Sequence, residues 1–209
     1  MPGALTLLDG GMGRELARRG APFRQPEWSA LALMEAPEHV QAVHEDFIGA
    51  GARVITTDSY ALVPFHLGED VFAAQARTLA DRAGRLARAA ADDAGSAGVR
   101  VAGSLPPLFG SYRPDLFDAE RAPEVLAPLV AGLSGHVDLW LAETQGSLAE
   151  VRAVKAGLPD DGLDELREDL GPAGYLSWAE RWREQGAAII GGCCGIGPEH
   201  LEVLRERLS

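Results

Sequence analysis

Two kinds of apolar segment alternate along the chain, and this alternation limits the fold more than any other feature. Short apolar runs typical of buried strands are LTLLDGG, RVITTDSY, VRVAGSLPP and HVDLWLAET. Segments with helical spacing lie between and after them, over residues 37–52, 69–94, 123–133 and 147–157. A last helix, strand and helix are predicted over PAGYLSWAERWREQG, AAIIGG and PEHLEVLRERL. Strand–helix alternation of this kind predicts an α/β fold, a parallel sheet covered by helices.

Polar residues recur where the predicted strands end. Asp9, Asp58, Ser104, Glu143 and Cys193 each follow or end an apolar run. In a parallel barrel these ends share one face, where catalytic groups gather. Strand ends are also loops, which are commonly polar, but acids after four apolar residues favour a functional rim.

Some of these residues also have a structural interpretation. Asp9 could cap a helix that starts near Met12, and Glu143 with Thr144 could cap the helix after them. Tyr60 could line a pocket or simply pack. The tryptophans are expected to pack in the core or between helices: Trp28, Trp140, Trp178 and Trp182.

Charge and composition exclude several classes of partner. The 209 residues carry a net charge of −12, whereas nucleic-acid binding relies on clustered Lys and Arg. We find no basic, apolar leader and no apolar run of about 18 residues, so no membrane span is expected and the cytoplasm is the expected location.

In that reducing compartment the adjacent Cys193 and Cys194 indicate ligands or reactive thiols more than a disulfide. Burial as small residues is equally compatible with such a pair.

Five segments resemble the homocysteine S-methyltransferases, which have a (β/α)8 barrel that binds homocysteine. They are LLDGGMGRELARRG, VITTDSYALVPFHLG, VAGSLPPLFGSYRPDL, DLWLAET and WREQGAAIIGGCCGIGPEHL. The resemblance implies a single homocysteine-binding domain over residues 1–209. It also implies transfer of a methyl group from a donor such as S-methylmethionine to the thiol of homocysteine, a reaction of methionine biosynthesis.

The same resemblance implies the roles of individual residues. Cys193 and Cys194 match two of three cysteines that hold zinc in the family. Asp9 and Glu143 match acids that hold the amino group of homocysteine, while Gly10 and Gly11 match a turn where the backbone approaches the substrate. A glycine-rich phosphate loop is a weaker interpretation of GGCCGIG, because the spacing fits neither common phosphate motif.

The chain is too short for the whole barrel that the resemblance implies. Only 43 residues, 144–186, separate the fourth predicted strand from the last one. Each strand–helix repeat takes about 30 residues, and a complete barrel about 250. We therefore expect an incomplete barrel of the TIM type, without units five to seven between residues ~144 and ~186.

This shortening removes the segment that carries the third zinc cysteine in the family. His66, His136 or Glu143 could complete the zinc site, or a second chain could, and self-association through open sheet edges is expected. His66 should lie near the functional face and His136 at the opposite end. The alternative function is that of an inactive family member that binds or assembles, or does not fold stably.

Overall fold

A computed structural model describes residues 6–95, 98–159, 171–184, 202–204 and 206–207. The chain divides into two compact units, Met1–Pro159 and Asp160–Ser209. In the first unit the helices are α1 (Met12–Arg18), α2 (Ser29–Glu35), α3 (Pro37–Gly49), α4 (Pro64–Leu67), α5 (Glu69–Asp93), α6 (Ala122–Leu133) and α7 (Leu148–Gly157). Its strands are β1 (Val54–Thr56), β2 (Arg100–Leu105) and β3 (Leu139–Ala142).

The predicted parallel sheet is confirmed in the described part of the first unit. The strand order is β1-β2-β3, with Val54 opposite Arg100 and Ala102 opposite Leu139, and both pairs are parallel. Consecutive parallel neighbours joined through helices are the repeating unit of α/β folds. This arrangement brings the carboxyl ends of all three strands to one edge.

The first predicted strand is wrong as a full strand within residues 6–11. Leu8 makes only an isolated parallel bridge with Val54, and the Asp9 N–H donates to the Val54 carbonyl at 3.0 Å. Among the described residues this segment pairs on one side only, so few backbone bonds hold it. Leu7 and Leu8 are consequently 47% and 54% exposed.

Helices α5 and α6 pack closely and cover the sheet. The buried face of α5 is rich in alanine, and the predicted helix over residues 69–94 is confirmed. A Cβ at Gly132 would lie 2.5 Å from the Arg77 carbonyl oxygen, so α6 contacts the backbone of α5 directly. Leu126, Leu129 and Leu133 of α6 are buried at this contact.

The second unit is described mainly through helix α8 (Pro172–Glu184), which the sequence predicts. Tyr175, Ala179 and Leu204 form its small buried cluster. The predicted strand AAIIGG lies outside the described residues. Within the described residues no helix is long and apolar enough to cross a membrane.

Candidate active site

The carboxyl edge of the sheet carries acidic side chains from separate elements. Asp9 follows the Leu8 bridge, Asp58 lies two residues after β1, and Glu143 follows β3 directly. Ser104 lies within β2 and is buried. The sheet therefore brings together four of the five predicted rim residues, and the fifth, Cys193, lies outside the described residues.

Asp9 is held by the neighbouring strand and not by the helix that follows it. Its carboxylate accepts from the Thr56 N–H at 2.7 Å and from the Thr56 hydroxyl at 3.0 Å. Helix α1 begins at Met12, with Gly11 as N-cap and no side-chain cap hydrogen bond. The capping interpretation of Asp9 is therefore wrong, because β1 offers the carboxylate two donors at once.

Two opposing effects set the acidity of Asp9. Burial raises the pKa of Asp9 to about 6, while the hydrogen bonds from Thr56 oppose this rise. The nearby Glu143 carboxylate adds to the rise, because two like charges disfavour each other. A cation placed beside both carboxylates would remove this repulsion.

Glu143 is held by β2. The Ser104 hydroxyl donates to its carboxylate. Helix α7 is capped instead by Ser147, which forms a capping box with Glu150, and the Glu150 N–H donates to the Ser147 hydroxyl at 3.2 Å. Capping by Glu143 or Thr144 is therefore wrong, because the capping box already fills that position.

Buried hydroxyls position Ser104. The Ser104 N–H donates to the Thr57 hydroxyl at 3.0 Å, and the Ser59 hydroxyl donates to the Ser104 carbonyl at 2.7 Å. These bonds join the end of β1 to β2 beyond the strand ladder. Ser104, which bonds to the Glu143 carboxylate, is thus itself fixed through its N–H group and its carbonyl.

A cavity of about 700 Å³ opens at this edge of the first unit. Its walls come from the loops after the strands and from α1. Gly10, Gly11, Thr56, Asp58 and Glu143 are among the lining residues. The predicted binding residues Gly10, Gly11 and Glu143 therefore share one cavity, and Asp9 lies beside it through its bonds to Thr56.

Aromatic rings form another part of the cavity wall. Trp28 lines the cavity, is 42% exposed, and lies with its ring centroid 5.7 Å from that of Phe23. Trp28 is therefore a cavity-wall residue and not a core residue. Tyr60 also lines the cavity, and its hydroxyl lies 2.7 Å from that of Ser111.

His66 lies at the cavity, on the face where the sequence places it. Its Nδ1 is 2.8 Å from the Pro26 carbonyl oxygen. A carbonyl only accepts, so Nδ1 carries the hydrogen, and Nε2 of the neutral ring keeps its lone pair. Burial lowers the pKa of His66, which favours this neutral form. His136 instead pairs with Asp81 of α5, away from the cavity lining.

The described residues do not form a metal centre by themselves. No group of three or more His, Cys, Asp or Glu in that part of the chain is arranged to hold a metal ion. Cys193 and Cys194 lie outside it and are the only cysteines of the sequence. A site of three thiolates is thus beyond this chain alone, and any third ligand must be of another type or come from another chain.

Comparison with known proteins decides the family. The family model described as homocysteine S-methyltransferase matches residues 6–158 and 154–208, nearly the whole chain. The chain belongs to the homocysteine S-methyltransferase family. Homocysteine S-methyltransferase YbgG of Bacillus subtilis is 33% identical over 241 residues, covering 98% of this chain and 73% of that protein.

Other members of the homocysteine S-methyltransferase family match over less of their own length. The Escherichia coli homocysteine S-methyltransferase is 33% identical over 169 residues, 72% of this chain and 53% of that protein. The chain thus spans about half the length of this relative. The solved homocysteine methyltransferase MmuM of Escherichia coli, in its metallated form, matches with a TM-score of 0.67 and 24% identity over 99% of this chain and 97% of that one. This likeness shows an α/β fold similar to that of MmuM.

Several residues that line the cavity are not identified by the sequence analysis. Thr56, Ser111 and Tyr112 lie in segments that carry the family resemblance, yet nothing in their spacing marks them as contacts. Tyr112 has a φ of 61° and is 81% exposed at the cavity. Arg14 lies at the exposed rim of the cavity and looks like any solvated helix residue in the sequence.

Proposed function

We propose that this protein binds homocysteine in the cavity and catalyses methylation of its thiol. The observation that carries the proposal is the pair of carboxylates, Asp9 and Glu143, which bond to Thr56 and Ser104 and repel each other. An ammonium group placed between two such acids relieves their repulsion and makes charge-assisted hydrogen bonds. The α-amino group of homocysteine supplies that cation.

The methyl donor proposed is a sulfonium such as S-methylmethionine. The homocysteine sulfur attacks the methyl carbon, the bond from that carbon to the sulfonium sulfur breaks, and its electron pair stays on the departing sulfur. The products are two methionines and one proton, so the reaction belongs to methionine biosynthesis. The cavity of about 700 Å³ is within the usual range for a small-molecule site.

Zinc is the proposed cofactor, held in part by Cys193 and Cys194. When bound, zinc favours the thiolate form of a coordinated thiol, which a free thiol rarely reaches at neutral pH. The metallated form of the similar MmuM structure supports a metal in this family. A third cysteine ligand from this chain is excluded, because Cys193 and Cys194 are the only cysteines of the sequence. The residues of the first unit bind and orient the amino acid whichever ligand completes the site.

An incomplete barrel without units five to seven remains the proposed architecture. The alignment with YbgG runs over 241 residues although this chain has 209, which supports residues present there and missing here. We retain the assignment of residues 1–209 to one shortened homocysteine-binding domain, and cytoplasmic location, as further proposals.

The test measures binding, zinc and turnover separately. Homocysteine affinity is measured by calorimetry, zinc per chain by elemental analysis, and methionine by mass spectrometry with S-methylmethionine as donor. We expect homocysteine binding, about one zinc per chain, and methionine formation that Cys193→Ser abolishes. Binding without zinc or turnover would contradict the methyltransferase proposal and support the binding-protein alternative.

Gly11→Ala provides a matched probe of the cavity. A Cβ at Gly11 meets only the side chain of Arg14, at 3.8 Å, so the folded chain has room for it. We expect the free energy of unfolding to fall by about 0.5–1 kcal/mol, because alanine is a poorer N-cap than glycine. Homocysteine should bind at least about tenfold more weakly, because Gly11 lines the cavity. Unchanged affinity would place the substrate elsewhere.

A further inference from the structure

Asp58 has a buried carboxylate, and one of its two oxygens has no hydrogen-bond partner among the described residues. It is only 3% exposed, yet it lines the cavity. The Ser29 hydroxyl hydrogen-bonds to the carboxylate, and the buried Oδ2 is the oxygen that lacks a described partner. A buried polar atom without a partner costs free energy. Asp58 therefore places an uncompensated carboxylate in the cavity wall, where its charge acts on a bound ligand.

Among the described residues that line the cavity, Arg14 is the one permanent cation, and it lies at the exposed rim. The chain neighbours of Asp58, Thr57 and Ser59, bond to each other and to strand β2. His66 also lines the cavity, and its lowered pKa favours the neutral ring. Burial raises the pKa of Asp58 to about 6, so the carboxylate is still mostly charged at neutral pH. A negative charge thus stands unpaired in the cavity wall.

The aromatic walls of the cavity strengthen the attraction of this charge for a cation. The rings of Phe23, Trp28 and Tyr60 line the same cavity and give it an apolar wall. Charge–charge attraction is stronger beside apolar groups than in bulk water. Ring faces also attract cations.

The geometry points to Asp58 as a specificity-determining residue that selects a ligand bearing a methylated sulfonium group over its neutral thioether counterpart. This inference rests on the proposed function, because that ligand is then the methyl donor. Asp9 and Glu143 hold one amino acid by its ammonium group, and Asp58 discriminates the second ligand by the charge on its sulfur.

A purely structural role is the main competitor. Asp58 bonds to Ser29, the first residue of α2, and could serve only to anchor that helix. Anchoring uses one carboxylate oxygen and needs no charge, so asparagine would suffice. Ser29→Ala is the matched control, since it removes the anchoring bond and keeps the carboxylate.

The experiment compares two ligands that differ by one methyl group and one charge. Affinities of S-methylmethionine and methionine are measured by calorimetry on the full chain, for the wild type, Asp58→Asn and Ser29→Ala. We expect the wild type to prefer S-methylmethionine by at least about tenfold. Asp58→Asn should bring the ratio near one while methionine affinity is retained, and Ser29→Ala should keep the ratio.

Three results would overturn the inference. They are a wild type without the preference, an Asp58→Asn protein that keeps it, and an equal loss of affinity for both ligands, which would indicate contact with the α-ammonium group instead. Thermal unfolding checks the fold, because removal of an unpaired buried charge should leave Tm unchanged or raised. If Asp58→Asn does not fold, Asp58→Ser is used with the same expectations.

Methionine formation from homocysteine separates this inference from the proposed function. If the wild type forms methionine while Asp58→Asn keeps the ligand preference, the inference fails and the function stands. If Asp58→Asn loses the preference but no variant forms methionine, the inference stands and the proposed reaction fails.

Discussion

At the residue scale, the first unit places three acidic side chains close together at one edge of its sheet. They are Asp9, Asp58 and Glu143. The pKa of Asp58, which is buried, and the pKa of Asp9, which is partly buried, are both raised to about 6 by loss of contact with water. Perturbed acids in a cleft indicate a functional site more often than a structural one. Ligands with ammonium or sulfonium groups are the natural partners of such a site.

The raised pKa of Asp9 predicts a pH dependence with a definite sign. The ionised carboxylate binds an ammonium group, and the protonated one does not. Homocysteine should therefore bind with its highest affinity above about pH 6 and bind more weakly as the pH drops through that value. Asp9→Asn should bind weakly, losing about 1.5–3 kcal/mol, and show no such pH dependence. Calorimetry between pH 5 and 8 measures both, and a wild-type profile flat across pH 6 would contradict the assignment.

Stability should respond to pH in the opposite direction. A folded-state pKa above the ordinary 3.8 means that the folded chain holds its proton more tightly than the unfolded chain. The free energy of unfolding contributed by Asp9 is thus greatest at low pH and declines as pH rises from about 4 to about 6. Binding and stability are opposed at this residue, which is common at functional sites.

At the scale of elements, the loop after β3 connects the site to helix α7. Gln145 donates from its side-chain nitrogen to the Leu105 carbonyl at 3.2 Å, and the Glu150 carboxylate accepts from the Gly146 and Ser147 N–H groups. The capping box of α7 therefore also fixes the short segment that follows Glu143. Its loss should disturb the cavity as well as the helix.

Ser147→Ala tests this connection. The variant removes the cap of α7, and we expect a loss of about 1 kcal/mol in the free energy of unfolding together with weaker homocysteine binding. Ser134→Ala is the matched control, since Ser134 directly follows α6 and its hydroxyl donates to the Val130 carbonyl at 2.6 Å. Denaturant titrations and calorimetry measure the two effects. Equal losses in both variants would show that the capping box has no special role.

At the scale of the whole molecule, the segment before Asp9 is the weakest part of the described sheet. Within the part of the chain that the structure describes, Leu8 forms one bridge, to Val54, and it is 54% exposed. Exposed apolar residues at a sheet edge favour pairing with another chain. This is the physical basis for expecting self-association.

Leu8→Lys should reduce that association. A charge at the edge opposes strand pairing between chains, so the apparent mass in light scattering should fall relative to the wild type. Leu116→Lys is the control, because Leu116 is similarly exposed, at 46%, but lies in a short 3-10 helix and makes no strand pairing among the described residues. A wild type that is already a uniform monomer would refute the expectation.

The sequence by itself determined the α/β class, the family and the longer helices α3, α5, α6, α7 and α8. Apolar spacing over residues 69–94 and strand–helix alternation are local patterns, and local patterns suffice for elements that bury one face. It also placed Asp9, Glu143 and His66 at one rim, because side chains at the carboxyl ends of parallel strands must share an edge. Cys193 and Cys194 remain predictions from the sequence alone.

Only the tertiary structure decided what those side chains do. It showed that the Asp9 carboxylate bonds to Thr56 and the Glu143 carboxylate to Ser104, which excludes the alternative capping roles. It likewise showed that Trp28, expected to pack in the core or between helices, lines the cavity. It also revealed the unpartnered oxygen of Asp58. Hydrogen-bond partners 39 or 47 residues away in the chain leave no trace in local spacing, because the chain brings them together only when the sheet forms.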